Sequence, residues 1–157
     1  MNSDDPAMLD VLRRSMVARI ATLSRTGRPS ITPLYFVAPH GRIWLGTSEW
    51  TLAARSVQAD PRVSVLFEVE QDPGPRRVLR ISGRASVRTD PKAQRSYNLR
   101  VARKYVLTPG GIRHYLAPLR QLKLRRHYAA QNVSTGQPCV IDVTPLHAEF
   151  LGDEQLG

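Results

Sequence analysis

The sequence predicts a mainly β protein with helices, in which six antiparallel strands form a small barrel and the helices lie on its periphery. Apolar and polar residues alternate in several short runs, as they do in strands that bury one face. Clusters of Gly, Pro and Asp separate these runs and are typical of turns. Because so many short strands would expose their edges, we expect them to close into a barrel, whether complete or split.

The N-terminal part of the chain is predicted to hold a short helix and three strands. Asp5 has the residue type of an N-cap, and Pro6 suits the first helical position. Gly27 supplies the positive φ of a turn, and a second turn ends at Gly41. The three strands are expected to form an antiparallel meander. Their predicted bounds are Val17–Leu23, Ile31–Val37 and Ile43–Thr47.

The middle of the chain is predicted to hold a short helix followed by two strands. Asp60 and Pro61 end the helix, because Pro61 disfavours helical backbone at the preceding residue and has no N–H to donate. In the second of the two strands, Gly83 is expected to mark a bulge or a close backbone approach. The predicted bounds are Leu52–Ala59 for the helix and Val63–Val69 and Val78–Val87 for the strands.

A basic helical pair is predicted at about residues 90–128, between the last strands. Its first helix begins at Asp90-Pro91 and continues to Tyr105, with apolar residues at helical spacing. The predicted remainder comprises a second helix at about Ile112–Tyr128 and a final strand, or bent pair of strands, over Cys139–Val143 and His147–Leu151.

Length and composition indicate one domain over residues 1–157, since a chain of this size suits a single core. The lone cysteine, Cys139, excludes an internal disulfide and fits a reducing cytoplasm. The N-terminal segment lacks the apolar core of a signal peptide, and no apolar run is long enough for a membrane span. The four histidines are scattered without metal-ligand spacing, so no metal site is expected.

The net charge of +10 arises in one segment of the chain. No Asp or Glu occurs between Pro91 and Ile141, whereas ten of the 23 Lys and Arg residues do. Such a patch attracts anions, although a solvated helix face explains it equally well. Tyrosines interleave with these cations, as in some nucleic-acid-binding proteins. Because their helical spacing favours anchoring a helix to the barrel, nucleic acid is the less favoured partner.

The segment TSEWTLAARSVQADPRVSVLF, residues 47–67, has the order strand end, polar loop, short helix, Asp-Pro stop and strand. This order resembles the pyridoxamine-phosphate-oxidase-like flavin-binding split barrels, which include the flavin/deazaflavin oxidoreductases. The second strand, with Pro29, Pro33 and Phe36, is more similar to that flavin/deazaflavin group than to the true oxidases. The resemblance implies a Greek-key split barrel of six antiparallel strands and a homodimer that holds the cofactor at its interface.

The resemblance also implies a binding site. Leu52 and Ala53 fall where family members carry phosphate-binding cations, so the two usual cations are missing, and Arg55 could compensate in part. Trp50 would wall the cofactor groove or pack across the dimer. The implied phosphate-side residues are Thr47, Ser48, Trp50, Thr51 and Arg55, and the implied ring-side contacts are Ile31, Thr32, Pro33, Leu34 and Tyr35.

These implications lead to the hypothesis of an oxidoreductase that uses FMN or the deazaflavin F420 to transfer a hydride to a small-molecule substrate. No catalytic acid or base is identified, because in such enzymes the cofactor carries the chemistry. Two alternatives stay open: a cofactor-free member of the fold that acts as a binding protein, and a binder of nucleic acid or another polyanion through the basic helices. The cations expected to attract the polyglutamate tail of F420 are Arg103, Lys104, Lys123, Arg125 and Arg126.

Overall fold

The structure, a computed structural model, describes residues 5–70, 77–106 and 136–152. The helices in these ranges are α1 Pro6–Arg14, α2 Leu52–Ala59 and α3 Pro91–Val106, with a short 3-10 turn at Pro39–Gly41. The strands are β1 Ala18–Leu23, β2 Pro29–Leu34, β3 Phe36–Val37, β4 Ile43–Ser48, β5 Arg62–Glu68, β6 Val78–Arg88 and β7 Pro138–Leu151. They form one antiparallel sheet in the order β2-β1-β5-β6-β7-β4-β3.

The sheet closes on itself at Tyr35. β2 and β3 stand at the two ends of the strand order, yet only Tyr35 separates them in the chain. Leu34 pairs with Ala18 of β1, whereas Phe36 pairs with Leu45 of β4. The chain therefore changes pairing partner at this residue and links the two ends of a curled sheet, which confirms the predicted mainly β split-barrel class.

The predicted number of six strands is wrong, because the described residues contain seven. The single strand expected over Ile31–Val37 is divided into β2 and β3, since Tyr35 separates a stretch that pairs with β1 from a stretch that pairs with β4. Phe36 and Val37 are both buried, so they also break the alternation that the prediction assumed. The pairing of β1 with β2, and of β3 with β4, confirms the predicted meander.

The barrel interior holds the main apolar core. Ile20, Phe36, Leu45 and Phe67 are fully buried there, and the rings of Phe36 and Phe67 meet edge to face at 4.8 Å between centroids. The apolar stripe of α1 packs against this core through Met8 and its neighbours Val11 and Leu12. Cys139 is buried at the start of β7, and this burial raises the pKa of its thiol to about 11.

Local sequence signals determine the ends of the short helices. The Asp5 carboxylate accepts a hydrogen bond from the Ala7 N–H at 2.9 Å, and Pro6 is the first residue of α1, as predicted. The α2 helix ends at Ala59, directly before the predicted Asp-Pro stop. The predicted bounds of α2 are therefore confirmed.

The longest strand pair, β6 with β7, contains one irregularity. The register shifts between Ser82 and Gly83, opposite Pro145 of β7. A Cβ at Gly83 would collide with the Thr144 carbonyl of β7. The predicted role of Gly83 as a close-approach or bulge residue is confirmed, and β7 is one continuous strand rather than two.

Two tyrosines fasten α3 to the barrel beside Tyr35. The Tyr97 hydroxyl donates to the Tyr35 carbonyl at 3.2 Å. The Tyr105 hydroxyl donates to the Met16 carbonyl at 2.6 Å and accepts the Phe36 N–H at 3.2 Å. The expected anchoring role of the tyrosines is confirmed for these two. The second predicted helix of the basic pair lies outside the described residues.

Candidate functional site

The loop after β4 brings the predicted phosphate-side hydroxyls together. The Thr51 hydroxyl donates to the Ser48 carbonyl at 2.8 Å and accepts the Ala54 N–H at 3.3 Å. The hydroxyls of Thr47 and Thr51 are 2.9 Å apart. Because Thr51 has already used its single proton, Thr47 is the donor in this pair. Thr51 thus acts as the N-cap of α2, and Thr47 holds the more adaptable hydroxyl.

The first turn of α2 faces the same loop. The N–H groups of Leu52 and Ala53 occupy the first positions of the helix, where no intrahelical acceptor exists. Such groups, together with the positive end of the helix dipole, suit an anion. Leu52 is 59% exposed, whereas Ala53 is fully buried in the core. The two positions where cations are missing therefore differ: one side chain points to solvent and the other packs inside.

The loop is held against the residues that precede β7. The Glu49 N–H donates to the Gln137 carbonyl at 3.0 Å. Gly136, with φ +107°, lies so close to the Trp50 ring that any Cβ would overlap it. Trp50 is nevertheless 68% exposed, so one face of the indole borders solvent beside the hydroxyls. The wall position predicted for Trp50 is compatible with this geometry.

Glu49 is a feature that sequence reasoning missed. Its carboxylate lies in the loop between Ser48 and Trp50, and its charge contributes to raising the pKa of Cys139. A carboxylate in this loop opposes an incoming phosphate. The sequence alone could have revealed it, because the predicted anion-binding loop contains an acidic residue two positions after Thr47 and no Lys or Arg.

Arg55 lies on α2, one turn after Thr51, and is exposed. It lines a cavity of about 490 Å³ between α2 and the turn that joins β1 to β2. Arg25 of that turn lines the same cavity, together with hydroxyl groups of Ser24 and Thr26. Arg25 is a second cation beside α2 that sequence reasoning missed, since 30 residues separate it from Arg55.

The five predicted ring-side residues do not present one common surface. Ile31, Pro33 and Tyr35 are exposed, as expected for alternate residues on the outer face, whereas Thr32 and Leu34 are half buried. β2 contacts both α2 and β4, the two elements that flank the loop that holds Thr47 and Thr51. Three of the five side chains on this strand are available from outside.

The predicted tail-binding cations are only partly described. Arg103 and Lys104 lie on α3 beside α1, whereas Lys123, Arg125 and Arg126 lie outside the described residues. The Lys104 ammonium donates to the Leu12 carbonyl at 3.0 Å and lies 3.3 Å from the centroid of the Phe36 ring. Burial lowers the pKa of Lys104 to about 7, while the carbonyl and the ring favour the protonated form.

Within residues 5–70, 77–106 and 136–152, no group of three His, Cys, Asp or Glu side chains is arranged to hold a metal ion. None of the helices in this part of the chain is long and apolar enough to cross a membrane.

The fold defines the class of the protein, an antiparallel split barrel with a polar loop after β4. The sequence then identifies its family. Residues 4–132 match the family model described as pyridoxamine 5'-phosphate oxidase, so the chain belongs to that family. Among curated proteins, none matches this sequence.

Several solved structures share the fold. A conserved hypothetical protein, Rv2991 from Mycobacterium tuberculosis, superposes with a TM-score of 0.67 and 21% identity, over 98% of this chain and 88% of that chain. An F420 reductase gives 0.61 and 17% identity, over 89% and 94%. HutZ, the heme storage protein from Vibrio cholerae, gives 0.64 and 15% identity, over 94% and 93%. At these identities the likeness establishes the fold alone.

Proposed function

We propose that this protein binds FMN or F420 as a homodimer and acts as an oxidoreductase on a small-molecule substrate. The observation that supports it is the anion cradle formed by Thr47 and the first α2 amides, with α2 and β4 both in contact with β2, in a member of this family. The resemblance implies that the cofactor's phosphate binds at the loop and its ring at β2. The buried free thiol of Cys139 supports a cytoplasmic location.

The cradle offers hydrogen-bond donors that suit a phosphate, but it has little positive charge. The Thr47 hydroxyl can donate to a phosphate if it turns away from Thr51, and the N–H groups of Leu52 and Ala53 offer two amides. Arg55 supplies a cation one turn along α2, whereas Glu49 adds an opposing charge. When bound, FMN or F420 supplies the hydride chemistry, and the chain supplies binding and orientation. We expect a cofactor that is held more weakly than in members with two cations in the loop.

A dimer is supported by exposed apolar side chains around the cradle. Ile31 is 65% exposed, Leu52 is 59% exposed and Trp50 is 68% exposed. Exposed apolar groups that gather near one site are typical of an interface. Sedimentation velocity tests this step: a monomer at micromolar concentration that also fails to dimerise with cofactor would contradict it.

The basic segment favours F420 over FMN, because the polyglutamate tail of F420 is an extended anion. Replacing Arg125 and Arg126 by Gln should then weaken F420 more than FMN. Equal losses for the two cofactors would remove the preference.

The decisive experiment titrates the protein with FMN and with F420 while the fluorescence of Trp44 and Trp50 is followed. Thr47→Val should weaken binding, because it removes the adaptable hydroxyl and leaves the Thr51 N-cap in place. Leu52→Arg should tighten binding about tenfold or more, since it adds a charged hydrogen bond at an exposed position. Gln58→Arg adds the same charge at the far end of α2 and serves as the control.

A second candidate is a cofactor-free binding protein of the same fold. It is favoured by the absence of a cation at Leu52 and Ala53 and by the Glu49 carboxylate in the loop. If neither the wild-type protein nor Leu52→Arg binds FMN or F420, the oxidoreductase proposal is wrong and this candidate takes its place. Binding of DNA or RNA with a steep salt dependence would instead indicate a polyanion binder.

A further inference from the structure

A second cavity lies on the other side of the barrel, between α1, the turn after β3, and α3. Its volume is about 430 Å³, within the usual range for sites that take small molecules. Its apolar wall consists of Leu9, Leu12, Val37 and Pro39. An adjoining cavity of about 460 Å³ shares Leu9 and Leu12 and extends the apolar surface towards the end of the barrel. An apolar body of several carbons would be covered here.

The rim of this cavity is cationic. Arg13, Arg100, Arg103 and Lys104 line it, and none of the described residues that line it is Asp or Glu. Arg13 is paired with the Asp10 carboxylate of its own helix at 2.9 Å, so its charge is partly neutralised. Lys104 donates to the Leu12 carbonyl at 3.0 Å.

Two of the rim guanidinium groups are suited to an external anion. Arg100 Nη2 lies 3.3 Å from His40 Nε2, a contact with an imidazole and not with a carboxylate. Neither Arg100 nor Arg103 has a carboxylate within ion-pair distance among the described residues. Guanidinium groups bind carboxylates with two parallel hydrogen bonds.

We propose that this α1–α3 cavity is a binding site for a small amphipathic carboxylate, with its apolar body on Leu9, Leu12 and Val37 and its carboxylate at Arg100 and Arg103. The combination of an apolar wall with a cationic rim is complementary to such a molecule at both ends. A neutral molecule of equal length would satisfy only the wall, and a small inorganic anion would satisfy only the rim.

The cavity is separate from the cradle of the proposed cofactor. β4 runs from Ile43, beside the cavity turn, to Ser48, where the cradle loop starts. Five residue steps along a strand span about 16 Å. The two sites therefore lie at opposite ends of β4, and the inference does not depend on whether a flavin binds.

Octanoate is the probe, and 1-octanol is its neutral counterpart. We expect saturable octanoate binding, detected as shifts of the backbone amide signals of Leu9, Val37 and Ala38, and octanol binding at least about tenfold weaker. Arg103→Gln and Arg100→Gln should each weaken octanoate about tenfold and leave octanol unchanged. Leu9→Gln should weaken both. Arg95→Gln changes an exposed cation of α3 that does not line the cavity, and it should change neither.

Three outcomes would overturn the proposal: equal affinity for octanoate and octanol, loss of octanoate binding in Arg95→Gln as large as in Arg103→Gln, or no saturable octanoate binding. Titration with FMN and F420 present separates the two sites. If F420 displaces octanoate and FMN does not, the cavity holds the tail of the cofactor and the separate site is refuted. If neither cofactor binds at all, octanoate binding still decides this proposal on its own.

Discussion

Tyr105 provides the most direct test of how α3 is attached to the barrel. The side chain is 4% exposed, and its hydroxyl donates to the Met16 carbonyl at 2.6 Å and accepts the Phe36 N–H at 3.2 Å. Tyr105→Phe keeps the ring and its edge-to-face contact with Tyr35, and it removes only the oxygen. Because Phe36 is fully buried, water cannot replace the lost acceptor.

The expected loss follows from the number of partners left without a hydrogen bond. A buried polar group that loses its partner costs about 1–3 kcal/mol. This applies in full to the N–H of the buried Phe36 and less to the carbonyl of the half-buried Met16, so we expect a loss of roughly 2–4 kcal/mol in the free energy of unfolding. Tyr97→Phe is the matched control, since Tyr97 donates to the Tyr35 carbonyl, which keeps the Gly46 N–H. The control should lose about 1 kcal/mol or less.

Urea unfolding followed by tryptophan fluorescence measures both variants against the wild-type protein. The midpoint of Tyr105→Phe should fall clearly below that of Tyr97→Phe, with an unchanged dependence on urea concentration. A loss in Tyr105→Phe that is no larger than in Tyr97→Phe would refute the reasoning, because it would mean that the Phe36 and Met16 groups find other partners.

Two further predictions concern Lys104 and Gly83. The unfolded chain keeps the Lys104 proton up to about pH 10.5, whereas the folded chain releases it near pH 7, so the wild-type free energy of unfolding should rise between these pH values. Lys104→Met should flatten this rise and add roughly 1–3 kcal/mol of stability at pH 6. A pKa difference of one corresponds to about 1.4 kcal/mol, and the Phe36 ring offsets part of the effect. Urea titrations at pH 6 and pH 10 check this, and an equal rise in both proteins would contradict it. Gly83→Ala should lower the free energy of unfolding by about 2–3 kcal/mol, since its Cβ would meet the Thr144 backbone. Gly152→Ala, whose Cβ would meet open space, should change the stability little. Thermal unfolding of the two variants checks this, and equal melting temperatures would contradict the prediction.

Signals confined to a few neighbouring residues predicted the structure well. The Asp5 cap, the end of α2 before Pro61 and the irregularity at Gly83 each depend on one or two residues, whose backbone preferences tertiary contacts do not reverse. The division of one strand at Tyr35 could not be predicted in this way, because it follows from which strands lie on either side of the chain. Pairing partners are a property of the whole sheet and not of the local pattern.

The candidate site shows the same limit. The sequence predicts that Thr47 and Thr51 belong to the same site. Only the structure shows that the Thr51 hydroxyl donates its proton to the Ser48 carbonyl. Arg25 could not be found from spacing, since it reaches the side of α2 from a distant turn. A pattern identifies which residue types are near one another along the chain, whereas hydrogen-bond direction and long-range neighbours determine what each of them can bind.

The two positions where the resemblance implies cations differ in how easily each could accept one. Ala53 is fully buried against the core, so a lysine there would have to displace packed groups before its amine reached the loop. Leu52 is 59% exposed and lines the cavity that also contains Arg25 and Arg55, so an arginine at that position would need no space in the core and would lie near two like charges. A cation at position 53 is therefore incompatible with the present packing of α2, whereas a cation at position 52 requires only one substitution. Leu52→Arg thus tests whether the cradle itself is intact, because any gain in FMN or F420 affinity requires that the donors of Thr47 and the α2 amides are still in place.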